Sequence, residues 1–308
     1  MNVFDAHCDT IYECFKQNKE LYNNDLSLSL KKGRKIKRWI QTFAIWMPDN
    51  LRGNEAQKHY ENCYKKYLFE VEKNSEIMNT FNSDKEEALS DDKKITAILS
   101  VEGGSVIAGN PDYLEKLSED SVKLMTLTWN CENELGCGCL SGTDTGLTES
   151  GKKAVAKMNG LKMLVDVSHL NEKGFYDVEK ISRVPFVATH SNAWDICRHP
   201  RNLKKEQIKV LVDCQGLVGL NFYTKFVSED ETVDFEALYR HIEYFLSNKA
   251  EKILALGSDF DGADMPDCLG SVDKLEYFYS WLINGRLDKK TVDDIFFNNA
   301  YNFFMKNF

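Results

Sequence analysis

Phe4-Asp5-Ala6-His7-Cys8-Asp9-Thr10, almost at the start of a 308-residue chain, is an apolar strand running into a histidine and a carboxylate. Side chains alternate along an extended strand, so His7 and Asp9 are expected on one side, with Ala6 and Cys8 on the other. A neutral imidazole and a carboxylate two residues apart at a strand end make half of a site for a borderline cation such as zinc. By itself a His-x-Asp pair is more often a solvated strand end. Its weight here comes from later segments that repeat the design.

Seven further runs share that length and that β-branched or aromatic content: Ile40–Trp46, Ile95–Val101, Leu124–Trp129, Met163–Val167, Phe186–Thr189, Leu217–Phe222 and Ile253–Gly257. The stretches between them are helical in character; within 237–246, Leu238, Ile242 and Phe245 share one face. Eight strands alternating with helices predict an α/β chain folded as a (β/α)8 TIM barrel, in preference to a doubly wound open sheet, which rarely needs eight such units. The longest connection, 48–94, is charged and places Tyr60, Tyr64, Leu68 and Val71 at helical spacing before a polar end at 79–92. It reads as an elaborated helical crossover after the second strand. With no solenoid-period repeat and no low-complexity tract, residues 1–308 are expected to form one barrel domain.

A hydrophobic fraction of 43% is ample for a core, and a net charge of −9 gives no electrostatic footprint for nucleic acid or an anionic membrane. The nine cysteines lack the regular spacing of a disulfide framework and read as reduced thiols, which predicts a cytoplasmic protein. Met1-Asn2-Val3-Phe4 enters the first strand at once and leaves no room for a signal peptide. No apolar run approaches the length of a membrane span, and the stretch from Asn302 to Phe308 is too short for an anchor signal.

In a barrel of this kind the working residues sit at the C-terminal ends of the strands. Those ends supply His7 and Asp9, Glu102, Trp129 and Asn130, His169, His190, Asn221, then Asp259 and Asp261. Three imidazoles and two carboxylates, His7, Asp9, Glu102, His169 and His190, suffice for two metal sites, with Glu102 as a bridge if it lies between them. Two cations about 3.5–4 Å apart would hold a water and polarise a carbonyl oxygen. Asp259, facing the first strand across the mouth, is the candidate proton acceptor; Asp261 reads as a turn residue before Gly262. In Arg198-His199-Pro200-Arg201-Asn202 a guanidinium could clamp a substrate carboxylate, and His199 reads as structural. The glycine-rich loop 131–151 holds Cys131, Cys137 and Cys139 but lacks a fourth regularly spaced ligand for an iron–sulfur cluster. It reads as a mobile loop over the active face.

These residues carry a family resemblance. Asp5-Ala6-His7-Cys8-Asp9, Val101-Glu102-Gly103-Gly104, Leu127-Thr128-Trp129-Asn130, Asp166-Val167-Ser168-His169, Thr189-His190-Ser191-Asn192-Ala193, His199-Pro200-Arg201-Asn202 and Gly257-Ser258-Asp259-Phe260-Asp261-Gly262 together resemble the membrane (renal) dipeptidases, in their intracellular bacterial-type branch of the amidohydrolase-like barrels. The resemblance implies two zinc ions per chain. It assigns His7 and Asp9 to one, His169 and His190 to the other, Glu102 as the bridge and Asp259 as the proton-handling acid. It also picks Arg201 over Arg198 to bind the carboxylate of a dipeptide substrate, often with a D-residue at the C-terminal position. A homodimer is common among such relatives.

One position departs from the pattern. The renal enzymes carry a substrate-binding histidine where this chain has Trp129, whose indole N–H donates at most one hydrogen bond. Trp129 and Asn130 are accordingly expected beside the substrate. Two rival readings keep the metals: a hydrolase of another small amide or lactone, and a catalytically silent metal-binding barrel. Most dinuclear relatives on the amidohydrolase plan use a carboxylated lysine at the fourth strand, where this chain has Trp129 and offers Glu102 instead. That favours the dipeptidase, and the full set of candidate ligands with Asp259 argues against a silent barrel.

Overall fold

The apolar runs pair as parallel strands, and the sheet they build closes on itself. The computed structural model describes residues 1–81, 95–230 and 232–308. Its strands are β1 (Val3–Cys8), β2 (Trp39–Trp46), β3 (Met78–Thr80), β4 (Ile95–Glu102), β5 (Val122–Thr126), β6 (Leu164–Asp166), β7 (Val187–Ala188), β8 (Leu217–Leu220) and β9 (Leu254–Leu256). Hydrogen bonding runs β2-β1-β9-β8-β7-β6-β5-β4, and a β2–β4 pairing with Trp46 opposite Glu102 closes a ring of eight. This is the (β/α)8 barrel that the alternation predicts. Strands five to nine are shorter than the apolar runs, because the last residues of those runs leave the ladder.

β3 is an unpredicted ninth strand, outside the ring. It pairs with the start of β4, Met78 opposite Ile95, along the edge that β5 leaves free because its own pairing begins at Leu99. Strand stagger in a closed barrel exposes such an edge, and a short added strand covers it.

Every ring strand sends an apolar residue (Phe4 with Ala6, Ile40, Ile98, Leu124, Leu164, Val187, Leu217 and Ala255) into a single cluster capped by Phe297, Ala300, Phe303 and Phe304. This cluster is the barrel interior, and Phe304 packs 4.9 Å from Phe4 at its base. Their outward neighbours, among them Leu99, Met125, Val165, Val218 and Leu256, pack in a second layer beneath the helices. With its N-terminal end plugged by the C-terminal segment, the barrel has one open face for chemistry.

Two local expectations need correction. Ala6 lies in the interior and Cys8 in the outer layer, on opposite faces. A bulge causes this: the three steps of β1 from Asp5 to Cys8 span only two steps of β2, from Gln41 to Phe43. In the crossover, the helix Gly53–Lys73 buries Ala56, Tyr60, Cys63, Tyr67 and Glu70, whereas Leu68 is 46% exposed. The buried face is therefore rotated from the one expected, and Glu70 is admitted to it because its carboxylate accepts from the Leu21 N–H at 2.9 Å and pairs with Lys66 at 2.7 Å. The polar end expected at 79–92 falls largely outside the described residues. Helix Phe235–Ser247 buries Leu238, Ile242 and Phe245 as expected, together with His241. Among the described residues no helix is long and apolar enough to cross a membrane.

Candidate active site

Inward parity carries the chemistry to the open face. Ile98 points into the barrel, so Ser100 and Glu102 do too, and Glu102 ends β4 at the mouth. After β6 and β7, the chain is held by Asp166, which accepts from Thr126 Oγ1 (2.8 Å), Ser168 N (3.0 Å), Thr189 N (3.0 Å) and Thr189 Oγ1 (2.5 Å). His169 follows in a left-handed conformation, φ +69°.

The hydrogen bonds fix the tautomers of two histidines. Thr189 Oγ1 spends its proton on Asp166, so His190 Nδ1, 2.8 Å away, must donate to it. His169 Nδ1 likewise donates to Asn130 Oδ1 at 2.9 Å. Both Nε2 atoms are left as bare acceptors, 3.0 Å apart, and both face Glu102 Oε1, at 2.8 and 3.3 Å. Burial, with Arg201 and His7 nearby, pushes both imidazoles well below their ordinary range, so they stay neutral. Two bare imidazole nitrogens converging on a carboxyl oxygen is an arrangement that suits a cation.

The other oxygen of Glu102 faces a second group. His7 Nε2 lies 3.9 Å from Glu102 Oε2, 3.3 Å from Asp9 Oδ2 and 3.8 Å from Asp259 Oδ1. Burial disfavours a charged His7, yet Glu102, Asp9 and Asp259 outweigh it and push its pKa up to about 10. Glu102 is raised well above the carboxylate range by burial and by Asp9, and Asp259 is raised mainly by burial. Asp9 Oδ1 is buried without a partner among the described residues. These acids are short of positive charge, and the metal-capable groups among the described residues are His7, Glu102 and His190, and His7, Asp9 and Asp259. Neither includes a cysteine.

The six strand-end residues His7, Asp9, Glu102, His169, His190 and Asp259 are thus brought together. Trp129 and Asn130 line the same open cavity of about 590 Å³ with Glu102, His169 and Asp259. Arg201 is not on that wall. It is buried, its Nη2 donates to the His190 carbonyl at 3.3 Å, and it lines a second cavity of about 310 Å³ behind His169. Arg198 stacks on Trp194 outside. Asp261 is more than a turn residue: half-buried, it accepts from Thr10 Oγ1 (2.6 Å) and from the backbone of Ser27 (2.6 Å) and Leu28 (3.3 Å), fastening that loop to the end of β9. The glycine-rich loop is tied to the mouth, where Cys139 N–H donates to the His169 carbonyl at 2.7 Å and Leu140 lines the cavity.

The sequence places Asn221 at a strand end without giving it a role, and it does not point to Trp46 or Tyr12. Asn221 donates to Asp259 Oδ2 at 3.0 Å and to the His190 carbonyl at 3.2 Å, holding both. Trp46 and Tyr12 line the cavity. Trp46 could have been found, since it ends a predicted strand at inward parity.

A family model described as membrane dipeptidase (peptidase family M19) matches residues 1–306. The chain belongs to the membrane dipeptidase family. A family member of this kind is a metallo-dipeptidase, a hydrolase of peptide bonds, and its site implies a metal. It is similar to an uncharacterized protein of the pqqA 5′ region of Klebsiella pneumoniae, 35% identical over 219 residues, covering 68% of this chain and 81% of that one. Among solved structures it resembles a metallopeptidase of Rhodobacter sphaeroides liganded with a phosphinate mimic of L-Ala-D-Ala (TM-score 0.93, 25% identity, 100% of this chain and 99% of that one). It also resembles dipeptidase AC (TM-score 0.91, 26% identity, 98% and 97%).

Proposed function

We propose that this metallo-dipeptidase works with two zinc ions and accepts dipeptides with a D-residue at the C-terminal position. The observation that carries the two-metal reading is the division of Glu102: one oxygen faces the bare nitrogens of His169 and His190, the other faces His7. His7 and Asp9 would hold one ion, His169 and His190 the other, with Glu102 between. Mixed imidazole and carboxylate donors suit zinc. The D-residue reading is supported by the L-Ala-D-Ala mimic bound to the Rhodobacter relative. All nine cysteines carry free thiols, which supports a reducing compartment such as the cytoplasm.

When bound, such ions supply Lewis acidity to the scissile carbonyl and acidify a water. The remaining work falls to side chains of the chain. Asp259 lines the cavity and is buried enough to have a raised pKa, so it can take the proton of the attacking water and return it to the leaving amine. Asn221 fixes its second oxygen. Arg201 would anchor the substrate carboxylate from behind His169, and Trp129 and Asn130 would bound the substrate on the β5 side.

The test counts metal and turnover on the same sample, for wild type and for Glu102→Gln, with a panel of L-L and L-D dipeptides. Two zinc ions and cleavage that stops on chelation are expected for wild type. The variant should lose activity and fall towards one ion, because a neutral amide offers two cations no charge to share. Two ions and full turnover in the variant would remove the bridging role.

A further inference from the structure

Three aromatic rings stand edge to face along one side of the cavity. Tyr12 packs on Trp46 with ring centroids 5.1 Å apart, and Trp46 packs on Trp129 at 4.9 Å; both contacts are T-shaped. Trp129 in turn lies 6.1 Å from His169, so the wall ends beside the candidate metal ligands. All three rings line the 590 Å³ space. Beside Tyr12, Lys16 pairs with Glu13 at 2.9 Å while lying over the Tyr12 ring, so the charges next to the wall are paired; Lys225 and Asp264 line the cavity elsewhere.

The wall is braced from outside. His59, on helix Gly53–Lys73, has Nε2 3.0 Å from the Trp46 carbonyl and its ring 5.8 Å from Tyr12. Burial keeps His59 below its ordinary pKa, hence neutral, so the contact is a plain N–H donation. The elaborated crossover thereby holds the wall at the mouth. Rigid aromatic faces that exclude water and present no unpaired charge favour a large apolar side chain over a small or charged one.

We propose that Tyr12, Trp46 and Trp129 form a specificity subsite that takes a large apolar, preferably aromatic, side chain of the dipeptide beside the scissile bond. This rests on the dipeptidase reading and deepens it. The test measures kcat/KM for Ala-Ala, Phe-Ala and Ala-Phe, together with calorimetric binding of the same peptides, on wild type, Trp46→Ala and Trp46→Phe. Wild type is expected to prefer a Phe-containing peptide over Ala-Ala by about 10-fold or more. Trp46→Ala should collapse that ratio and Trp46→Phe should restore part of it, which covers the case of a misfolded alanine variant. Equal rates for Ala-Ala and both Phe peptides, or a ratio that Trp46→Ala leaves unmoved, would overturn the subsite while leaving the dipeptidase standing. A protein that cleaves none of them but binds a Phe peptide more tightly keeps the wall and removes the activity; one that neither cleaves nor binds removes both.

Discussion

The role proposed for Asp259 rests on what surrounds it. Asn221 holds one oxygen, His7 lies 3.8 Å from the other, and burial raises its pKa. Asp259→Asn should therefore lower kcat by about 10² or more while zinc content, read by elemental analysis, stays at wild type. Loss of an ion would make Asp259 a ligand and move the proton role elsewhere. Most of this cluster was legible because a barrel restricts chemistry to strand ends, and those ends carried His7, Asp9, Glu102, His169, His190 and Asp259. The second strand offers no polar residue at its end, so Trp46 reads there only as the end of an apolar run. The placement of Arg201 behind His169 was hidden for another reason: it depends on how the loop after β7 folds back, which neither period nor motif records.

Backbone leaves no room for a side chain at Gly219 of β8 or at Gly257 just beyond β9. A Cβ at Gly219 would lie 1.8 Å from the Thr189 carbonyl oxygen, and so would one at Gly257. Since Thr189 also ties His190 to Asp166, the crowding reaches the site. Gly219→Ala should cost about 1–3 kcal/mol, as overpacking of a filled core does, read as a lower urea midpoint at unchanged m-value. A wild-type midpoint would mean that the barrel yields there without strain. Elements of this kind show which parts of a fold a pattern reveals. Apolar runs gave eight ring strands, whereas β3, three residues long, leaves no period to detect. The face of helix Gly53–Lys73 was misjudged by one register because Glu70 looks solvent-bound until Leu21 and Lys66 are seen to satisfy it.

Across the molecule, the candidate site joins distant parts of the chain. β1 brings His7 and Asp9 to Asp259 just beyond β9, and the same seam is stitched by Asp5, which accepts from Ser258 N at 2.8 Å and Ser258 Oγ at 2.5 Å. The ion proposed for His7, Asp9 and Glu102 would tie β1 to β4 beside that seam and stabilise the folded state by linkage, about 2.7 kcal/mol when free metal exceeds Kd 100-fold. Chelation should lower Tm and added zinc should restore it; a Tm indifferent to both would mean that the seam holds without metal. The division has a consequence for dissecting the protein. A cut in the connection between helix Glu172–Ile181 and β7 would leave His7, Asp9, Glu102 and His169 on one fragment, and His190, Arg201 and Asp259 on the other. Neither piece could assemble the full donor set, so peptide cleavage would report on their reunion, as in a split reporter whose signal depends on two halves meeting.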